Sequence, residues 1–237
     1  MDKLFQYLGK RAGISVKKGR WFYKSILGNE EETIKAQFSF GYEMAKEIAN
    51  QYELVEDPII KKLGTELKTR LSTKHRFNFY TIKSTDVNAF AIPGGFIFVT
   101  NSLLEFCEFD EDTIAFVLSH EMGHVIKGHT LNSLLAQYSV NALSTMLRTT
   151  GLIQNAAKQL FTKFLISNYS RENEFEADMT ALKIMKLLGF NSDAAKTFFL
   201  KLQAKESDSS FLPSYFSTHP PLKERIKNVE ETINKPQ

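Results

Sequence analysis

A single cysteine, Cys107, in 237 residues excludes an internal disulfide framework and any cysteine-built zinc module. Any metal held by this chain has to sit on histidines and carboxylates. Charge of one sign is also lacking: 30 Lys and Arg oppose 27 Asp and Glu, and a net charge of +3 does not argue for nucleic acid as a partner. Long apolar runs are missing as well. Val87 to Leu104 is interrupted by Pro93-Gly94-Gly95, and Gly128 to Leu147 carries Asn132, Gln137 and Asn141, so neither reads as a membrane span. No stretch within residues 1–28 has the apolar length of a secretory signal, which makes the chain cytoplasmic as written, or a cell-envelope protein if a leader has been removed.

With 43% apolar and 24% charged residues there is enough material for a buried core, and no repeat or low-complexity tract divides the chain. The reading is a basic N-terminal arm, residues 1–35, followed by one domain over 36–237. Lys and Arg in residues 1–28 are interleaved with Phe5, Tyr7, Trp21, Phe22 and Tyr23, so this segment could lie on an anionic membrane surface or on an acidic partner. Apolar spacing predicts helices through Ala36 to Tyr52 and from an Asp57 cap with Pro58 in the first turn to about Leu71. Phe77–Ile82, Asn88–Ile92 and Phe96–Thr100 are aromatic or β-branched, the last two flanking Pro93-Gly94-Gly95, and predict a sheet of about three strands over 77–100. Helical patterning then returns at about 112–129, 170–188 and within 191–233. The fold class is therefore α+β, mostly α. Thr130 to Ser170 contains no Asp or Glu, and could form a hairpin that caps a cleft, meets a second subunit or touches a membrane.

His120-Glu121-Met122-Gly123-His124 is an H-E-x-x-H sequence inside the helix expected at 112–129. Side chains four apart share a helix face, so the two imidazoles can converge on one cation while Glu121 is turned toward a water on it. A catalytic zinc needs a third protein ligand. Lys127 and Thr130 stand where an astacin-like continuation needs Gly and His. If that helix continues, His129, nine residues after His120, falls on its opposite side and is a surface or packing residue. Ser170-Arg171-Glu172-Asn173-Glu174-Phe175-Glu176-Ala177-Asp178 opens the next helix with Glu174 and Asp178 on one face. Glu174 completes a set of two histidines and a carboxylate, and Asp178 can accept the other N–H of His120. Glu172 and Glu176 are expected to point into solvent.

Four blocks together resemble a known family. They are Asn88 to Thr100, His120 to His124, Ser170-Arg171 with Glu174 and Asp178, and Thr218-His219-Pro220-Pro221 with Arg225. Their order and spacing are similar to those of the gluzincin metalloendopeptidases that include the type-1 CAAX prenyl protease, the heat-shock membrane protease HtpX and soluble bacterial quality-control proteases. The resemblance implies a zincin-type domain with one zinc ion on His120, His124 and Glu174. It implies Glu121 as the catalytic carboxylate, His219 as a stabiliser of the oxyanion or an occupant of the fourth zinc position, and Arg225 close by. Asn88 and Ala89 become candidates for substrate binding, since an extended polypeptide could join the sheet edge as an added strand. The implied activity is zinc-dependent cleavage of unfolded or extended polypeptides; the rival readings are a latent enzyme and a metal-stabilised binding or chaperone module.

Overall fold

The computed structural model describes residues 30–137, 169–205, 219 and 222–234. The expected arm over 1–35 and the expected hairpin over 130–169 fall largely outside the described residues. Helix α1 runs over Glu30–Gln51 and is followed by a two-residue strand β1, Leu54–Val55. Helix α2, Pro58–Arg70, starts as its sequence requires: the Asp57 carboxylate accepts the Ile59 and Ile60 amides at 2.9 and 3.1 Å, and Pro58 fills a position where no N–H is needed. Strands β2 (Asn78–Ile82), β3 (Ala89–Ile92) and β4 (Phe96–Thr100) complete a sheet in the order β1-β2-β4-β3. The sheet thus has four strands rather than three, because a two-residue strand is too short to show alternation. β3 and β4 pair antiparallel across the Pro93-Gly94-Gly95 turn, and β2 and β4 pair in parallel. That leaves β3 on the edge among the described strands.

Alternation gives the sheet two different faces. Tyr80, Phe98 and Phe90 stack across three strands at centroid spacings of 5.2 and 5.3 Å, while Phe38 of α1 lies 5.1 Å from Phe96. Ala89, Ala91, Ile97 and Val99 belong to the opposite face, within the main core. That core surrounds α4, Glu111–Ile126, which is capped by Asp110 through the Thr113 amide at 2.8 Å. Every residue from Thr113 to Val125 is buried. Helices α3 (Asn101–Phe106), α5 (His129–Gln137), α6 (Arg171–Leu188), α7 (Asp193–Ala204) and α8 (Leu222–Ile233) are the other helical segments among the described residues. Cys107, just after α3, is fully buried, and burial pushes its thiol up to about 12.

Two glycines decide where the functional side chains fall. Gly123 lets α4 and α6 cross closely: a Cβ there would lie 2.9 Å from the Ala177 carbonyl oxygen. Gly128 adopts φ +76 and ends the helical run, so that α4 stops at Ile126 and α5 begins afresh at His129. The uninterrupted helix expected to reach residue 129 is therefore broken in its last turn.

Gly123→Val should overpack the crossing and cost about 1–3 kcal/mol, seen as a lower urea midpoint at unchanged slope. A wild-type midpoint would mean that the two helices can part at no cost.

Candidate active site

Helix α4 carries His120, Glu121 and His124, and α6 brings Glu174 and Asp178 against it. Ser170 caps α6 by accepting the Asn173 amide at 3.2 Å, which fixes the register of both carboxylates. His120 Nε2 and His124 Nε2 are 3.0 Å apart, and Glu174 Oε1 lies 3.3 Å from His124 Nε2. His219 comes in from the other side, with Nδ1 3.1 Å from Glu174 Oε1 and Nε2 3.5 Å from Glu121 Oε1. One potential donor atom from each of His120, His124, Glu174 and His219 lies within 4.8 Å of the other three.

Each group is held from behind. His120 Nδ1 is 2.9 Å from Asp178 Oδ1, so this ring keeps its proton on Nδ1 and presents a lone pair at Nε2. Arg225 on α8 grips Asp178 with Nε at 2.8 Å and Nη2 at 2.7 Å, reaches Glu174 Oε2 with Nη1 at 2.6 Å, and lies over the Phe199 ring. Burial works to raise both carboxyls, yet Arg225 and the facing histidines outweigh it and hold Glu174 well below, and Asp178 below, their ordinary values. Burial keeps His124 neutral by lowering it well below the usual imidazole value. Glu121 moves upward because burial outweighs the opposing pull of His219, His120 and the Ala91 main chain. His219 goes the other way from simple burial: Glu174 and Glu121 raise it and favour its protonated form.

The donor set and the charge balance both fit a divalent cation. Glu121, Glu174 and Asp178 are three buried carboxylates against the one guanidinium of Arg225; at ordinary ionisation two negative charges remain, which protons on His219 and Glu121 offset in the metal-free protein. Such a deficit in a dry interior is costly unless a cation or protons fill it. Two imidazole nitrogens with one carboxylate oxygen favour zinc among divalent ions.

Three residues play parts that spacing alone did not assign. His129, expected on the far side of a continuous helix, is buried with its Nδ1 3.0 Å from His124 Nδ1, because the chain turns at Gly128. Glu176, expected in solvent, accepts from His129 Nε2 at 3.0 Å while its side chain stays half exposed. Tyr169 stacks on His124 at a centroid distance of 3.9 Å and 18°. Among the described residues its buried hydroxyl has no hydrogen-bond partner, and neither has Glu121 Oε2. Nothing in the sequence around Tyr169 marks it; its role comes from lying just ahead of the Ser170 cap.

Of the candidates for substrate contact, Ala89 opens strand β3 and Asn88 precedes it, both buried. The Asn88 carbonyl accepts the Thr100 amide and Ile92 that of Gly95, so Ala89 and Ala91 are out of phase with β4 and turn their main-chain groups to the sheet edge.

Residues 56–233 match peptidase family M48, and the chain belongs to that family of metalloproteases. It is 29% identical over 163 residues to the mitochondrial metalloendopeptidase OMA1 of Schizosaccharomyces pombe, covering 68% of this chain and 48% of that protein. Over 218 residues it is 26% identical to the beta-barrel assembly-enhancing protease of Escherichia coli K12, covering 85% and 45%, and over 161 residues 28% identical to the metalloprotease YcaL of the same organism, covering 66% and 62%. The chain spans about half the length of the first two relatives. Among the described residues no helix is long and apolar enough to cross a membrane.

Arg225→Met should leave Glu174 and Asp178 uncompensated and destabilise the metal-free protein by about 3–5 kcal/mol at neutral pH. In the wild type their depressed pKa values give stability that is full above the ordinary carboxylate value, about 4, and lost only as pH falls through the lower folded values. In the variant burial acts unopposed by the guanidinium, the carboxyls rise, and protonation relieves the strain. Thermal unfolding of the metal-free proteins should therefore show a gap that narrows from about pH 7 to about pH 4; a constant gap would contradict this account.

Proposed function

We propose that this chain is a zinc-dependent endopeptidase that hydrolyses peptide bonds in unfolded or extended polypeptides, in protein quality control. The observation that carries the reading is the buried cluster of His120, His124 and Glu174, whose ligand atoms converge beside the Glu121 carboxylate. Relatives named as a metalloendopeptidase and as a beta-barrel assembly-enhancing protease support it.

His120, His124 and Glu174 would hold the ion, with Asp178 and Arg225 fixing His120 and Glu174 from behind. Bound there, zinc would polarise a scissile carbonyl and make a water easier to deprotonate. Glu121, raised by burial, is suited to take the proton of the attacking water and to hand it to the leaving amine. His219, whose protonated form Glu174 and Glu121 favour in the metal-free protein, would offer a donor to the negative charge that grows on the carbonyl oxygen. The substrate would lie along β3, using the outward main-chain groups of Ala89 and Ala91 with Asn88 beside them. Main-chain pairing ignores side-chain identity, and so favours extended chains over folded ones. The Ala91 main chain also lies near enough to Glu121 to pull its carboxyl down, which ties that edge to the general base.

A second reading has its own support. A His219 donor atom lies within 4.8 Å of the other three, close enough for His219 to close the fourth metal position in a resting state.

With zinc content equal in both proteins, cleavage of an unfolded protein should fall at least about 100-fold in Glu121→Gln, and a chelator should abolish it in the wild type. Absence of cutting by either zinc-loaded protein would point instead to a binding role. His219→Ala should lower kcat with little change in KM; a rise in activity would make His219 a latch.

A further inference from the structure

We propose that His129 and Glu176 are positioning residues that hold the His124 ring in the tautomer and orientation needed for metal binding. The inference rests on the zinc reading above, but its test reads metal affinity and not proteolysis.

The proton inventory leaves one arrangement. His124 Nε2 faces His120 Nε2 and Glu174, so a metal there takes its lone pair and the ring proton must sit on Nδ1. At 3.0 Å from that Nδ1 lies not a carboxylate or a carbonyl but the Nδ1 of His129. His129 must then accept at Nδ1 and carry its own proton on Nε2, which points at Glu176 Oε2, also 3.0 Å away. The Glu176 carboxylate, acceptor only, makes that second tautomer the favoured one. Two successive hydrogen bonds, His124 to His129 and His129 to Glu176, therefore run from the ligand to a side chain that is 54% exposed. His120 has the same support in a single step from buried Asp178. Tyr169 restrains the His124 ring on its face, and His129 restrains it at its edge.

The geometry behind this relay is local and specific. Gly128 at φ +76 turns the chain after α4 and leaves His129 on the His124 side. Glu176 belongs to the same helix as Glu174 and Asp178, so one helix would supply a ligand and the supports of both histidines.

The test uses the full 237-residue chain with His129→Phe, His129→Gln and Glu176→Ala. Zinc affinity is read by competition with a chromophoric chelator, ligand geometry by the visible spectrum of the cobalt-substituted protein, and structure by thermal unfolding without metal. His129→Phe keeps a ring but offers no acceptor, and should weaken zinc about 10–100-fold and shift the cobalt bands. His129→Gln, whose amide oxygen can accept from His124 Nδ1, should recover most of that loss, and Glu176→Ala should fall between wild type and His129→Phe. Metal-free stabilities should not follow this order. Wild-type affinity in all three variants, or equal losses in the Phe and Gln variants, would overturn the relay. A wild type that takes up no zinc would instead overturn the zinc reading, and the relay with it. Because Glu176 is half exposed, its substitution reports even if His129→Phe fails to fold.

Discussion

Three carboxylates buried side by side constrain nearly everything around them. Glu121, Glu174 and Asp178 are buried as completely as the leucines of the core, and the Arg225 guanidinium and His219 oppose them. Arg225 offers its donors to two carboxylates at once and rests its plane on Phe199, so α8 is fastened to α6 by charge as much as by apolar contact. Metal binding here has a second consequence, since an ion held by these groups also stabilises the fold that presents them.

What can be read from the sequence depends on the length over which a relation acts. His120 with His124, and Glu174 with Asp178, sit four apart within one helix, and periodicity alone puts each pair on a shared face. The Asp57 and Ser170 caps are equally local. Arg225 and His219 come from distant parts of the chain, and only the similarity of whole motif blocks points to them. His129 defies the helical wheel for a definite reason. The wheel requires a helix continuing past Ile126, whereas Gly128 lies left-handed and resets the direction of the chain. Glu176 follows from the same break, because its partner lies on the near side of the turn rather than the far one. Strand β1 is silent in the sequence because two residues carry no period.

The sheet and the helix that carries the site are matched in size. Ala89 and Ala91 present only methyl groups to the core face, which leaves room for α4 to pack against β3 closely enough for Glu121 to meet the Ala91 main chain. The bulky aromatics of the same strands, Phe90 and Phe98, lie on the other face, stacked with Tyr80. Alternation along the strands thus separates a face built for mass from a face built for approach.

Cys107 gives the molecule one further property. Its sulfur is sealed in the core and its thiol is pushed up to about 12, so almost none of it is thiolate in ordinary buffers. No other sulfhydryl exists in the 237 residues. A cysteine introduced on the surface would therefore react alone with a maleimide dye, and the unaltered sequence already serves as the background for attaching a single fluorophore beside the β3 edge to follow an incoming chain in real time.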